Sequence, residues 1–97
     1  MNIAKFNSCV VIEENPMVKR REALYRLVNE NMYNQNSETT IISALTKIAF
    51  IDYLLGVDVM DNTRLNKMII TINNNHNTNY ELTDFYIRFW FSLQVDM

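Results

Sequence analysis

Several residue types that mark particular fold classes are almost missing from this chain of 97 residues. It contains one glycine, one proline and one cysteine. Because the tight turns of a β-sandwich depend on glycine and proline, their scarcity favours helices joined by few loops. The single cysteine, Cys9, cannot form an intramolecular disulfide bond, and there is no CxxC pair. A reducing compartment is therefore expected.

Long apolar runs and a leader are lacking as well. No apolar stretch reaches the eighteen or so residues needed to span a bilayer. The opening MNIAKFNSCVVIEENP lacks the basic start and long apolar run of a signal peptide. We therefore expect a cytoplasmic protein that has no membrane partner. Frequent asparagine indicates an AT-rich genome, such as that of a phage or another mobile element.

Signatures of catalysis and metal binding are absent from the sequence. A single glycine cannot supply a P-loop or a dinucleotide fingerprint. One cysteine and one histidine cannot build a structural zinc site. The carboxylates are scattered, and His76 has no serine or cysteine relay near it in the sequence. We expect a non-enzyme without a cofactor or a metal ion.

The residues that are present predict one domain over 1–97 with a small core. Apolar residues make up 48% of the chain, and the formal net charge is −2. An acidic balance weakens the case for a general nucleic-acid binder, because neutralisation of phosphates dominates that affinity. A local basic face remains compatible with it.

Capping residues predict two helices in the first half. Asn15 followed by Pro16 is a strong helix start, and that helix is expected to run to about Tyr33. A second helix is expected from Ser37 to Leu55, ended by Gly56. Before them, CVVI at residues 9–12 is prone to form a strand.

The second helix is apolar on two sides, which predicts a central position or an oligomer interface. Phe50 and Leu54 lie almost opposite its main stripe. Asp52 falls inside that stripe, where an unpaired carboxylate is expensive. Either the last turn is partly exposed, or Asp52 forms a buried pair with an arginine. The main stripe consists of Ile41, Ala44, Leu45, Ile48, Ala49 and Leu55.

A short helix capped by Asp58 or Asp61 is predicted to end near Met68. Its polar side has the chemistry that reads DNA: asparagine pairs with adenine, arginine with guanine, and lysine contacts phosphate. The predicted base-reading and phosphate-contacting residues are Asn62, Thr63, Arg64, Asn66 and Lys67.

A β-hairpin is predicted next. Its strands are the β-branched run 69–72 and the short run 80–82, and they are separated by a loop without apolar residues. Asparagine tolerates the left-handed conformations that a loop without glycine requires. The tip of this hairpin, Asn75, His76 and Asn77, is the second predicted DNA contact.

The closing stretch DFYIRFWFSLQV fits the periods of both a helix and a strand. Thr83 and Asp84 form a good helix start, and twelve residues is long for a strand, so a helix is favoured. As a helix it carries one continuous apolar stripe through Phe85, Phe89 and Trp90. A second stripe on the opposite side would need cover, which predicts a homodimer or higher oligomer. The predicted interface is Ile87, Phe91 and Val95.

This order of elements resembles a winged helix-turn-helix domain over residues 40–94. LLGVDVMDNTRLNKMII is similar to the passage containing the recognition helix of such domains, and YELTD to their last wing strand. YELTDFYIRFWFSL also resembles the segment that closes the winged helix in a family of archaeal and bacterial AAA-type ATPases, although the ATPase core is absent. The expected fold class is α+β, mainly helical. An all-α bundle and a long C-terminal strand are the alternatives.

Two functions follow as expectations. The first is a small winged-helix regulator of transcription that binds double-stranded DNA. The second is a protein-interaction module or inhibitor that binds and blocks a host protein machine, since fold does not fix function. Charge placement should discriminate between them. DNA binding gains if Arg20, Arg21, Arg64 and Lys67 share a face with the wing, and protein interaction gains if they are scattered.

Overall fold

The computed structural model describes residues 15–95, with side chains through residue 91, and contains four α-helices. They are α1 (Pro16–Asn31), α2 (Glu38–Leu54), α3 (Thr63–His76) and α4 (Leu82–Val95). Short 3-10 turns, Gln35–Ser37 and Val59–Asp61, lie in two of the connections. The strand-prone run 9–12 and Cys9 lie outside the described residues.

Contacts between the helix ends give an up-down-up-down arrangement. Arg21, early in α1, contacts Asp52 at the end of α2, so these two helices are antiparallel. At the end of α3, His76 contacts Met32 beside the end of α1. Tyr80, just before α4, contacts the first residue of α2. Each helix therefore runs opposite to its neighbours in sequence, as in a four-helix bundle.

The predicted α+β winged-helix fold is wrong, and the all-α alternative fits. Between residues 15 and 95 there is no strand, and residues 69–76 continue α3 instead of forming a hairpin. The reason lies in the tertiary packing. Three apolar residues recur at helical spacing and are fully buried: Leu65, Ile69 and Ile72. Burial on that stripe outweighs the modest β-preference of isoleucine.

The predicted helix boundaries in the first half are nearly right. The Asn15 side chain accepts a hydrogen bond from the Met17 amide at 2.9 Å, and Pro16 takes the first helical position. After α2, Gly56 adopts a φ of 87°, a left-handed conformation that suits glycine. Ser37 precedes α2 as expected, but its hydroxyl donates back to the carbonyls of Asn31 and Asn34 and does not cap the helix.

All four helices contribute to one core. Along α4, the buried positions Phe85, Tyr86 and Phe89 face the other helices, which confirms the helical alternative for this segment. The remaining buried apolar side chains come from α1 to α3 and the turn after α1: Tyr25, Val28, Met32, Ile41, Ala44, Leu45, Ile48, Ala49, Ile51, Leu65, Ile69 and Ile72.

Candidate interaction surface

A buried ion pair joins α1 to α2. Asp52 is 2% exposed, and its Oδ1 accepts a hydrogen bond from Arg21 Nη1 at 2.9 Å. Its Oδ2 accepts one from Asn62 Nδ2 at 2.8 Å, and the same amide donates to the Tyr86 hydroxyl at 3.0 Å. Of the two alternatives for Asp52, the structure therefore shows the buried pair with an arginine. These contacts connect all four helices.

A second ion pair lies beside the first. Both terminal nitrogens of Arg64 donate to the Glu22 carboxylate, each at 2.7 Å. The hydrogen bond from Arg64 lowers the pKa of Glu22. The Arg64 guanidinium also lies 3.9 Å from the centroid of the Tyr25 ring, a cation–π contact. We refer to Arg21, Glu22, Asp52, Asn62, Arg64 and Tyr86 together as the polar network.

Two tyrosines are enclosed by these charges. Burial raises the pKa of Tyr25, and the nearby negative charge of Asp52 raises it further. Burial also raises the pKa of Tyr86. Both phenols therefore stay neutral near pH 7, and their roles here are packing and hydrogen bonding. Within the described residues, the buried Tyr25 hydroxyl has no hydrogen-bond partner.

The structure does not present the predicted DNA-reading residues of α3 as one free surface. Asn62 is buried, and its Oδ1 accepts from the Leu65 amide, so it caps the helix. Arg64 is held by Glu22. Thr63, Asn66 and Lys67 are exposed.

The three residues predicted at the hairpin tip instead end α3. His76 is buried, and its Nε2 donates to the Met32 carbonyl at 2.7 Å, since a carbonyl can only accept. Asn77 takes a left-handed conformation with a φ of 56° at the helix C-cap. The Asn75 carbonyl accepts from Gln35 at 3.0 Å. These residues lie about 20 Å from Thr63 along the helix axis, given a rise of about 1.5 Å per residue.

A different surface is exposed and apolar. At the seam of α2 and α4, aromatic rings pack in sequence: the centroids of Phe50 and Phe89 are 5.0 Å apart, those of Phe89 and Trp90 4.8 Å, and those of Trp90 and Tyr53 5.7 Å. Ile87 lies at helical spacing from Trp90 on the outer side of α4. We call the exposed apolar side chains of this region the aromatic face: Phe50, Tyr53, Leu54, Ile87, Trp90 and Phe91.

Two of the three predicted interface residues belong to this face. Ile87 is 50% exposed and Phe91 62% exposed. The side chain of Val95 lies outside the described residues. Trp90 differs from expectation, because the helical pattern places it in the core stripe although 47% of it is exposed. The signal that reveals the aromatic face is the second apolar side of each helix, Phe50 and Leu54 on α2 and Ile87 and Phe91 on α4.

A groove of about 480 Å³ runs between α2 and α4 beside the aromatic face. On one wall, the Tyr80 hydroxyl donates to Glu38 at 3.1 Å, and the Arg88 guanidinium lies 5.7 Å from the centroid of the Tyr80 ring. No sequence pattern marks this groove, because its cations are isolated along the chain. Its lining consists of Glu38, Thr39, Ile42, Ser43, Thr46, Lys47, Tyr80 and Arg88.

Comparisons with known proteins give no relative: no family model matches the chain, and no curated protein or solved structure matches it significantly.

Within the described part of the chain, no cluster of three or more histidine, cysteine, aspartate or glutamate side chains is placed to hold a metal ion. Of the helices described, none combines the length and apolar character needed to cross a bilayer.

Proposed function

We propose that this protein is a non-enzymatic protein-interaction module that self-associates through its aromatic face. The observation that carries the proposal is the exposure of six large apolar side chains on α2 and α4, at the seam between these helices and on their outer sides. A fully buried aromatic residue covers roughly 150–250 Å². At the fractions exposed here, the aromatic face amounts to roughly 500 Å². Apolar patches of about this size are often functional on monomeric proteins.

A second copy of the chain is the occupant that the area favours. A standard protein interface buries about 800 Å² on each partner. The aromatic face supplies much of that area, and the polar side chains around it supply a rim. A twofold axis would place the same apolar stripe of α4 on both sides of the contact. Such isologous dimers are the commonest soluble oligomers.

The placement of positive charge favours protein interaction over DNA binding. Arg21 and Arg64 are both held by carboxylates, and Asn62 is buried. No hairpin accompanies them among residues 15–95. DNA binding therefore loses the wing and two of the five residues of α3 predicted to read bases or contact phosphate. Fluorescence anisotropy with a pool of genomic fragments tests DNA binding. Salt-sensitive binding that Arg64→Ala and Lys67→Ala weaken would support it again.

Light scattering tests self-association. At tens of micromolar we expect the mass of a dimer. Phe91→Asp should give a monomer, because a charge in an apolar interface costs several kcal/mol. Tyr33→Asp is the matched control, since Tyr33 is 78% exposed in the turn after α1, away from the aromatic face. It should leave the dimer intact. A monomeric natural protein, or a dimer that survives Phe91→Asp, would overturn the proposal.

A further inference from the structure

We propose that the groove between α2 and α4 binds an acidic segment of a protein partner. This rests on the proposed role in protein interaction and specifies the chemistry of the partner. The occupant is a peptide segment that carries carboxylates next to an apolar residue. Binding of this kind uses the groove and the edge of the aromatic face together.

Charge in the groove is reversed relative to the rest of the protein. The chain has a formal net charge of −2, but the groove lining holds Lys47 and Arg88 against one carboxylate, Glu38. Among the side chains that the structure describes, neither cation forms a salt bridge. Glu38 already accepts a hydrogen bond from Tyr80. The unmatched charge of the groove is therefore positive and complements carboxylates.

Two of the other four arginines, Arg21 and Arg64, differ from Arg88 in this respect. Arg21 and Arg64 each contact a carboxylate at 2.9 Å or less, so their charges are neutralised within the protein. Lys47 lines the groove from α2 and Arg88 from α4. Two cations that line one groove can contact two successive acidic side chains of an occupant.

The floor of the groove suits a peptide backbone. Thr39 and Ser43 are exposed hydroxyls that can donate to, or accept from, the main chain of an occupant. The Thr46 hydroxyl donates to the Ile42 carbonyl at 2.8 Å, which leaves its oxygen able to accept. A volume of about 480 Å³ lies within the range of about 300–1,000 Å³ typical of ligand sites.

The occupant needs an apolar residue because of the surface next to the groove. Phe50 follows Thr46 by one helical turn on α2 and belongs to the aromatic face. An occupant whose acidic residues contact Lys47 and Arg88 therefore extends onto exposed aromatic surface. An apolar side chain flanking the acidic residues would bury that surface. This combination distinguishes a peptide from a small inorganic anion, which would use the cations alone.

NMR titration of the full ¹⁵N-labelled chain tests the proposal. The probe is an end-capped peptide, Asp-Asp-Leu-Glu-Glu-Leu-Asp-Asp. We expect chemical-shift changes concentrated at the amides of Thr39, Ser43, Lys47, Phe50 and Arg88. A double variant, Lys47→Glu with Arg88→Glu, should weaken binding on the order of tenfold or more, since like charges then face each other.

Controls separate site binding from general attraction. The double variant Arg20→Glu with Arg26→Glu makes the same total change of charge at two exposed positions of α1, and it should weaken binding by less than about twofold. A peptide with asparagine and glutamine in place of the acids should not bind. Inorganic phosphate at equal concentration should not reproduce the shift at Phe50. Shift changes outside the groove, equal weakening by the α1 double variant, or no binding of the acidic peptide would overturn the proposal.

The outcome is independent of the test of self-association. Phe91→Asp should still bind the acidic peptide, because Phe91 does not line the groove. Loss of the dimer with retained peptide binding therefore supports the groove, whatever the natural oligomeric state. Because the peptide and the second copy would both contact Phe50, the dimer can exclude the peptide. A stable dimer whose Phe91→Asp monomer also fails to bind the peptide would overturn the groove and leave the proposed self-association standing.

Discussion

The polar network and the groove with its neighbouring aromatic face differ in how their charges are paired and in how much apolar surface they expose. On the side of α1 and α3, the polar network pairs its ionised groups internally: Arg21 with Asp52, and Arg64 with Glu22. On the side of α2 and α4, Lys47 and Arg88 form no such pair among the described residues, and aromatic rings are exposed. A cation that is paired with a carboxylate of its own chain contributes to folding, whereas an unpaired cation remains available to a partner. We call the region of the polar network the structural side and the region of the groove and the aromatic face the proposed interaction side.

The structural side also explains why an acidic residue lies in the core. A buried ion pair contributes little net stability compared with apolar residues of similar volume. Asp52, however, accepts bonds from both α1 and the start of α3, and Asn62 extends the contact to α4. These directional bonds define one arrangement of the helices, which apolar packing alone specifies less sharply.

The largest expected effect contrasts two phenylalanines on α4. Phe85 is fully buried, and Phe91 is mostly exposed. Phe85→Ala should cost about 3–5 kcal/mol of unfolding free energy, because it leaves a cavity. Phe91→Ala should change that free energy by less than about 0.5 kcal/mol in the monomer. Urea unfolding, at a concentration where light scattering shows a monomer, measures both. Equal costs would mean that Phe91 belongs to the core.

A slightly smaller effect is expected at the buried carboxylate. Asp52→Ala should cost about 3 kcal/mol, because it leaves the largely buried Arg21 guanidinium with only its longer contact to Glu22, at 3.4 Å. The double variant Arg21→Met with Asp52→Leu should recover most of this loss, since it removes both charges and keeps the volume. Urea unfolding of the natural protein, the single variant and the double variant measures these free energies. A cost below about 1 kcal/mol for Asp52→Ala would show that the polar network is dispensable.

The local signals in the sequence located most helix ends correctly. Asn15, Pro16 and Gly56 act through bonds and dihedral angles within a few residues, so their effect is visible in the sequence itself. The predicted cap of α3, Asp58 or Asp61, is wrong: Asn62 caps that helix, and Asp58 caps only the 3-10 turn before it, accepting from the Met60 amide at 2.9 Å. The predicted helix of the last segment has a local signal of the same kind: Asp84 accepts from the Glu81 amide at 2.7 Å at the start of α4.

The hairpin and the interaction groove depend on long-range contacts, which the sequence shows poorly. The run 69–72 is β-branched, and an asparagine-rich stretch follows it, so local propensity suggests a strand and a turn. The stripe Leu65, Ile69, Ile72 and His76 carried the competing helical signal. Lys47 and Arg88 come together only because α2 and α4 run side by side, 41 positions apart in the numbering.

A moderate effect is expected from the asparagine that joins the helices. Asn62→Ala removes the cap of α3 and one hydrogen bond to the buried Asp52. Loss of a cap alone costs about 0.5–2 kcal/mol of unfolding free energy. Because Asp52 also loses a hydrogen bond, the cost should lie near the upper end of that range. Asn66→Ala is the control, since Asn66 is exposed on the same helix. Its effect should stay within about 0.5 kcal/mol. Equal effects in thermal or urea unfolding would contradict the assigned role of Asn62.

The smallest expected effect concerns Glu22 and acid. Arg64 holds the pKa of the Glu22 carboxyl below its ordinary value in the folded protein. The unfolded chain binds this proton more tightly, with a pKa of about 4.3. The stabilisation is therefore complete above about pH 4.3 and is lost as the pH falls through the lower folded value.

Glu22→Gln isolates this contribution. Its side chain is 37% exposed, so water and salt screen the pair, and the variant should cost less than about 1 kcal/mol at pH 7. The difference from the natural protein should shrink as the pH is lowered toward about 3, and also in about 1 M salt. Glu30→Gln is the control, because Glu30 is exposed on α1 and forms no salt bridge among the described residues. Urea unfolding as a function of pH measures both variants. If the difference in unfolding free energy between Glu22→Gln and the natural protein persisted unchanged in acid, Arg64 would be positioned by packing on Tyr25 and not by charge. The structural side of the bundle would then depend on the Asp52 pair alone.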